Sequence, residues 1–273
     1  MTYKFSLVHI NPLNCVFIYI SAFIVLTGCQ ASTTDTYPTP KAYDLNHPFK
    51  MELSSNLDEI SGIEYYAKDT SVFAISDATG SLYKIFLHRK LAVEKWKFEK
   101  NADYEDLQLV DSLFYVLSSS GDIVRIKFHS ADSLLVDNFK FPASGRNEFE
   151  SMYYDKENRQ LNMICKDCDA DKKKAVSIWS FNIQDGTYKI SATQIDVLPI
   201  AKKFGLEKLK FKASAAAVNP VTNELFILSS VNKALVIADN NGSIKEVYAL
   251  DPAIYKQSEG ITFTPAGDLL ISN

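Results

Sequence analysis

Four glutamates recur at similar positions of a repeated pattern, and their carboxylates are chemically suited to bind a cation. They are Glu59, Glu105, Glu150 and Glu259. In each case a small or polar residue and an apolar segment follow, and the first two intervals are 46 and 45 residues. If the repeats are arranged around one axis, these carboxylates meet there, and their mutual repulsion requires either protonation or a bound cation. Because Ca²⁺ accepts about 6–8 oxygen ligands in loose geometry, we predict a calcium site, with Asp77, Asn273 and water as further ligands.

The sequence also allows other roles for these glutamates. Each one could instead accept backbone N–H bonds and so join neighbouring repeats. A carboxylate-bound cation could also polarise a substrate and activate water, as in a metal-dependent lactonase, esterase or phosphoesterase. No GxSxG, HExxH or P-loop motif is present, and His47, His88 and His129 occupy no recurring position. A cation-binding module is our first prediction, with a hydrolase and an interaction scaffold as alternatives.

Two cysteines form the only CxxC motif, Cys165 and Cys168. A zinc site would need two further ligands, and neither a second CxxC nor a nearby histidine supplies them. In an oxidising compartment the pair is expected to form a local disulfide at a hairpin turn. Two free thiols without a function, or a redox-active pair, are the alternatives.

The N-terminal segment has the organisation of a signal peptide. Lys4 precedes an apolar stretch at residues 15–26, which is shorter than the roughly 20 residues of a membrane span. The stretch ends in Leu26-Thr27-Gly28-Cys29, which resembles the lipobox of bacterial lipoproteins. That resemblance implies cleavage before Cys29 and acylation of its thiol and amino group. We therefore expect a signal peptide at 1–28, a flexible tether at 29–43 and a folded domain at 44–273.

The expected environment of the domain is the bacterial cell envelope. Gln30, rather than aspartate, follows Cys29, and in common Gram-negative lipoproteins this implies the outer membrane. The formal net charge of -4 argues against nucleic acid as a partner. We expect a monomer that contacts the membrane through its lipid anchor and binds an unidentified small molecule, glycan or protein.

The elements that position the glutamates are predicted to be β-strands. Apolar residues alternate with polar ones in short segments bounded by Gly, Asn, Asp and Ser, for example 71–76, 113–117 and 224–228. About four such strands fall in every 40–50 residues, which is typical of propeller blades. The prediction is an all-β propeller of about five four-stranded blades. The last blade is incomplete after residue 273 and receives part of its sheet from the strand near 49–53.

Several motifs together resemble one family. They are Leu57–Ile63, Ile75–Asp77, Tyr104–Asp106, Glu150–Met152 and Ser258–Ile261. In this order they are similar to the SdiA-regulated family of bacterial propeller lipoproteins, which is related to TolB-like, gluconolactonase-like and esterase-like phytase propellers. The resemblance implies a β-propeller, with six TolB-like blades as the alternative to five. This chain departs from the pattern because it lacks the strand that such chains carry after the segment Ile271–Asn273.

Overall fold

A computed structural model of the chain describes residues 4–8, 36–53, 57, 60–88, 92–169, 171 and 175–273. This part of the chain contains twenty β-strands and one short α-helix, so the predicted all-β class is confirmed. No helix in these ranges has the length and apolar character needed to cross a membrane.

The strands are grouped in five four-stranded antiparallel sheets. The first two strands are β1 (Lys4–Val8) and β2 (Phe49–Glu52). Blade 1 contains β3 (Ile60–Tyr66), β4 (Ser71–Ser76), β5 (Ser81–Phe86) and β6 (Val93–Lys97). Blade 2 contains β7 (Tyr104–Val110), β8 (Leu113–Ser118), β9 (Ile123–Ser130) and β10 (Ser133–Phe139).

The next two blades follow the same plan. Blade 3 contains β11 (Asn147–Asp155), β12 (Gln160–Cys168), β13 (Ala175–Asn182) and β14 (Tyr188–Asp196). A helix, α1 (Leu198–Lys203), lies in the connection to blade 4. Blade 4 contains β15 (Ala215–Val218), β16 (Leu225–Ser229), β17 (Ala234–Ala238) and β18 (Ile244–Ala249). The last strands are β19 (Gly260–Phe263) and β20 (Leu269–Ser272).

Blade 5 combines strands from the two ends of the chain, in the order β19-β20-β1-β2. The prediction that the segment near 49–53 contributes to this sheet is confirmed, because β2 is its outermost strand. The third position is occupied by β1, which pairs antiparallel with β20 and with β2. This strand belongs to the predicted signal peptide, whose remaining residues lie outside the described ranges. Cleavage before Cys29 would therefore remove the strand that joins β20 to β2.

The innermost strands of the five blades form a closed ring, in which β3, β7, β11, β15 and β19 each lie against their neighbours. Two glycines lie where neighbouring inner strands approach closely. A Cβ on Gly62 would stand 2.4 Å from the Leu107 nitrogen, and one on Gly260 would stand 2.4 Å from the Ser61 carbonyl oxygen. No side chain fits at such distances. The described strands thus form five blades, and the six-bladed alternative is wrong for this part of the chain.

The core lies between the blades. Middle strands such as β4 and β17 are buried on both faces, whereas the outer strand β10 alternates between exposed and half-buried residues. This difference explains the continuous apolar sequences of the middle strands. Buried residues already occur in the predicted tether at Pro40 and Tyr43, and the Tyr43 hydroxyl donates to the Gly267 carbonyl at 2.7 Å.

Candidate functional site

One position near the start of each innermost strand faces a cavity of about 390 Å³ at one end of the central channel. The residues at that position are Ser61, Glu105, Glu150, Ser214 and Glu259. Ser61 and Glu259 each precede a glycine at the crowded contact between blades, and the closed strand ring brings all five side chains together from distant parts of the sequence. We call this cavity the channel mouth.

The structure brings three of the four predicted glutamates into the channel mouth, together with Asp77. Glu59 lies outside the described residues, and Ser61 occupies the equivalent place in blade 1. The sequence prediction therefore placed this position two residues too early in blade 1, at Glu59. The reason is that blade 1 has a serine and no carboxylate at this position, so the nearest glutamate was taken instead; spacing could not decide, because Glu59 and Ser61 lie 46 and 44 residues before Glu105. Asn273 is adjacent: its side-chain oxygen accepts the Gln257 N–H at 2.9 Å.

Two further carboxylates at the mouth, Asp103 and Glu148, were missed from the sequence. Each lies two residues before a ring glutamate, so an acid-x-Glu pattern in blades 2 and 3 was the available signal. Lys166 is the basic residue among those that line the mouth, and it was missed as well. It forms ion pairs with Glu150 and, at 2.9 Å, with Glu148.

Lys166 is positioned by an irregular part of blade 3. It lies between Cys165 and Cys168, which the structure joins in a disulfide with a Cα–Cα distance of 6.0 Å. The facing strand β11 shifts register between Glu148 and Phe149 and again between Phe149 and Ser151. These bulges and the short disulfide loop hold the ammonium group beside the two glutamates. Lys166, within the CxxC motif, thus lies beside the carboxylates of the channel mouth.

Burial and like charge change the titration of Glu105. Loss of solvation raises its pKa from 4.5 to about 8, and the nearby Asp103, Asp77 and Glu259 act in the same direction. Lys166 opposes this increase. At neutral pH the Glu105 carboxyl is therefore mainly protonated, which relieves part of the repulsion within the mouth.

Asp106, next to Glu105, fills the joining role that we had considered for the glutamates. Its carboxyl oxygens accept the backbone N–H groups of Leu107 at 2.7 Å and Met152 at 2.6 Å. Met152 belongs to blade 3, so this buried side chain links two blades. Burial raises the pKa of Asp106 well above its usual value.

The charge balance bears directly on the predicted calcium site. Among the described residues, no three His, Cys, Asp or Glu side chains are close enough together to hold a metal ion. The Lys166 ammonium lies where a cation would neutralise Glu148 and Glu150, and the Glu105 proton removes a further charge. Calcium binding stays a prediction, and it would require these side chains to rearrange.

A family model described as SdiA-regulated matches residues 41–273. The chain belongs to the SdiA-regulated family. This agrees with the motifs that resembled the family and with the propeller architecture. No curated protein sequence matches the chain.

Several solved structures are similar to this SdiA-regulated protein at low sequence identity. A chain of the nidogen/laminin complex has a TM-score of 0.55 and 10% identity, over 96% of this chain and 97% of that chain. A protein of unknown function from Bacteroides thetaiotaomicron VPI-5482 has a TM-score of 0.51 and 10% identity, over 78% and 52%. Virginiamycin B lyase from Staphylococcus aureus, solved with quinupristin, has a TM-score of 0.48 and 13% identity. That match covers 81% of this chain and 65% of the lyase chain.

Proposed function

We propose that this SdiA-regulated protein is a binding protein whose channel mouth takes up a divalent cation, with Ca²⁺ as the preferred ion. The observation that supports the proposal is a single cavity lined by six carboxylates from four blades and by one lysine. Such a cavity is costly to maintain without a positive charge at its centre. Carboxylate, hydroxyl and amide oxygens together suit the loose oxygen coordination of Ca²⁺.

In this proposal Lys166 acts as an internal substitute for the ion. Its ammonium group is carried on a flexible four-carbon chain and can withdraw from Glu148 and Glu150 when a cation enters. Glu105 would lose its proton at the same time, because the ion supplies the positive charge that the carboxylate lacks. The hydroxyls of Ser61 and Ser214 and the amide of Gln257 line the same cavity and offer neutral oxygens.

Calorimetric titration of Ca²⁺ into the metal-free protein tests this proposal. We expect saturable binding at one site, accompanied by proton release at pH 7, because the pKa of Glu105 is about 8. Proton release is measured from the heat in two buffers of different ionisation enthalpy. Glu150→Gln should weaken binding at least about tenfold, whereas Glu157→Gln, on an exposed turn, should not. Absence of binding to the wild type would contradict the proposal.

A second candidate function is hydrolysis, which one observation favours. A protonated glutamate beside several carboxylates has the character of a general acid, since its pKa of about 8 keeps the proton available at neutral pH. Lactones, aryl esters and phytate, each with Ca²⁺ present, are suitable substrates for a screen. Turnover that Glu105→Gln abolishes would support the hydrolase. Binding of Ca²⁺ without turnover would support the binding protein, and absence of both would favour an interaction scaffold.

We also propose that the domain is attached to the bacterial envelope by acylation of Cys29. Support comes from the segment Leu26–Cys29, because two or three acyl chains on one residue suffice for stable anchoring. Labelled palmitate fed to an expressing bacterium should enter the wild type and Cys15→Ser but not Cys29→Ser. The first two proteins should fractionate with membranes. Labelling of Cys29→Ser would contradict the anchor.

A further inference from the structure

A second cavity, of about 730 Å³, opens between blades 1 and 2. It is lined by residues at the far ends of the strands, including Tyr66 at the end of β3 and Asp111 after β7. The channel mouth lies at the opposite ends of the same strands. This cavity, which we call the inter-blade cleft, is thus separate from the cation site and has the size of a site for a small molecule.

Aromatic rings form the walls of the cleft. Trp96 of blade 1 and Phe128 of blade 2 meet edge to face, with ring centroids 4.9 Å apart. Both are half-buried, so part of each ring is available for contact. The Trp96 indole N–H donates to the Ala131 carbonyl at 2.7 Å, which fixes its ring across the blade boundary. Rigid aromatic surface of this kind binds a flat apolar group at a low cost in side-chain entropy.

Lys84 supplies a charged group within the cleft. Its side chain is only 13% exposed, and Nζ donates to Asp69 Oδ2 at 2.5 Å. The ammonium group also lies 5.1 Å from the Tyr66 ring centroid and 5.4 Å from that of Phe73. An ammonium group has three N–H donors, and among the described residues Asp69 is its hydrogen-bond acceptor. Donors therefore remain for an acceptor on a ligand.

The charge of the lining favours an anionic ligand. Four lysines line the cleft, against three acidic residues. Asp111 is paired with Arg159 at 3.3 Å and Lys84 with Asp69 at 2.5 Å, and outside these two pairs three lysines face two acidic residues. Lys127 and Lys95 are exposed at the rim, where they attract negative charge over several ångströms. The inner part of the cleft thus combines apolar rings with an ammonium hydrogen-bond donor, and the rim carries a small excess of positive charge.

We infer that the inter-blade cleft binds a small molecule that joins a flat apolar ring system to a carboxylate, sulfonate or phosphate. The ring system contacts Trp96 and Phe128, and the anionic group accepts hydrogen bonds from Lys84. This site is independent of the proposed cation site, because the two cavities have no lining residue in common.

Two matched probes test the inference: naphthalene-2-carboxylate and the neutral naphthalene-2-carboxamide. Binding is followed by fluorescence of Trp96 in the Trp179→Phe background, since the protein has two tryptophans. We expect saturable quenching by the carboxylate, with the carboxamide binding at least about tenfold more weakly because it lacks the charge-assisted hydrogen bond. Equal affinity for the two probes, or no saturation at millimolar concentrations, would overturn the inference.

Variants of two lysines assign the charged contact. Lys84→Gln should reduce carboxylate affinity about tenfold and leave carboxamide affinity unchanged. The control is Lys245→Gln, an exposed lysine of blade 4 paired with Glu224 at 2.9 Å, which should bind as the wild type does. Unchanged carboxylate binding in Lys84→Gln would reject the site. If that variant does not fold, the comparison of the two probes on the Trp179→Phe protein decides the question.

Discussion

At the channel mouth, Lys166 and the Glu105 proton together offset the charge of carboxylates contributed by four blades. A group whose pKa is higher in the folded state binds more protons folded than unfolded. Stability from that group is therefore greatest below the unfolded pKa of 4.5 and is lost as the pH rises towards 8. In alkaline solution the ionised carboxylates of the mouth should repel one another and destabilise the fold, and a bound cation should reduce this repulsion.

Glu105→Gln removes the destabilisation that ionisation of Glu105 causes. Because the amide cannot ionise, we expect the variant to be more stable than the wild type by about 1–3 kcal/mol at pH 8, and by much less at pH 5. Urea unfolding at the two pH values measures the difference. Glu157→Gln serves as the control, with equal stability at both. If the difference in stability between Glu105→Gln and the wild type does not increase from pH 5 to pH 8, Glu105 does not hold a proton in the folded wild type.

Lys166→Gln tests the role of the internal cation. Lys166 lowers the pKa of Glu105, so its loss should raise that pKa above its wild-type value. The titration of the Glu105 carboxyl ¹³C resonance reports this change directly. We also expect a loss of stability of about 2 kcal/mol, since Glu148 and Glu150 lose their partner. Lys156→Gln, on an exposed turn, should change neither quantity. A lower or unchanged Glu105 pKa in Lys166→Gln would contradict this role.

At the scale of elements, the innermost strands depend on residues without bulk at their contacts. Gly62→Ala would place a Cβ 2.4 Å from backbone nitrogen of β7, and a backbone neighbour cannot move aside as a side chain can. We expect a loss of stability of about 1–3 kcal/mol from overpacking. The comparison is Gly205→Ala, where no atom lies within 4 Å and the φ of +66° alone penalises the change, at about 1 kcal/mol. Thermal unfolding ranks the two variants, and equal losses would mean that the ring tolerates wider spacing.

Strand β1 pairs with β20 near the C-terminus and with β2 near the N-terminus. Signal-peptide cleavage before Cys29 would remove it from blade 5. In a chain that begins at residue 29, β20 and β2 would lose their shared neighbour. We therefore predict faster amide hydrogen exchange at Leu269–Ser272 and Phe49–Glu52 in that chain than in the full chain, with β16 in blade 4 as the unaffected control. Equal protection in both chains would mean that another segment fills the third position of blade 5.

At the scale of the whole molecule, the propeller was predictable because each blade repeats a small residue, an apolar inner strand and a buried middle strand. The ring position was predictable in blades 2, 3 and 5, where a glutamate marks it. It was missed in blade 1, because Ser61 stands there in place of a carboxylate and Glu59 lies only two residues away. Lys166 was missed because it comes from a second strand, so no repeat of the inner strand points to it. The third strand of blade 5 was missed because Lys4–Val8 lies in a segment with the pattern of a targeting signal.

Closure of the ring also predicts how cation binding should affect the entire fold. The carboxylates of the mouth belong to four blades, so an ion held among them ties together elements that are distant in sequence. Binding to the folded state alone stabilises it by about 2.7 kcal/mol when the ligand is at 100 times its Kd. We therefore expect Ca²⁺ to raise the unfolding temperature of the whole domain in one cooperative transition, and Glu150→Gln to reduce this increase. An increase confined to one part of a split transition would show that the blades unfold separately, and no increase would contradict cation binding at the mouth.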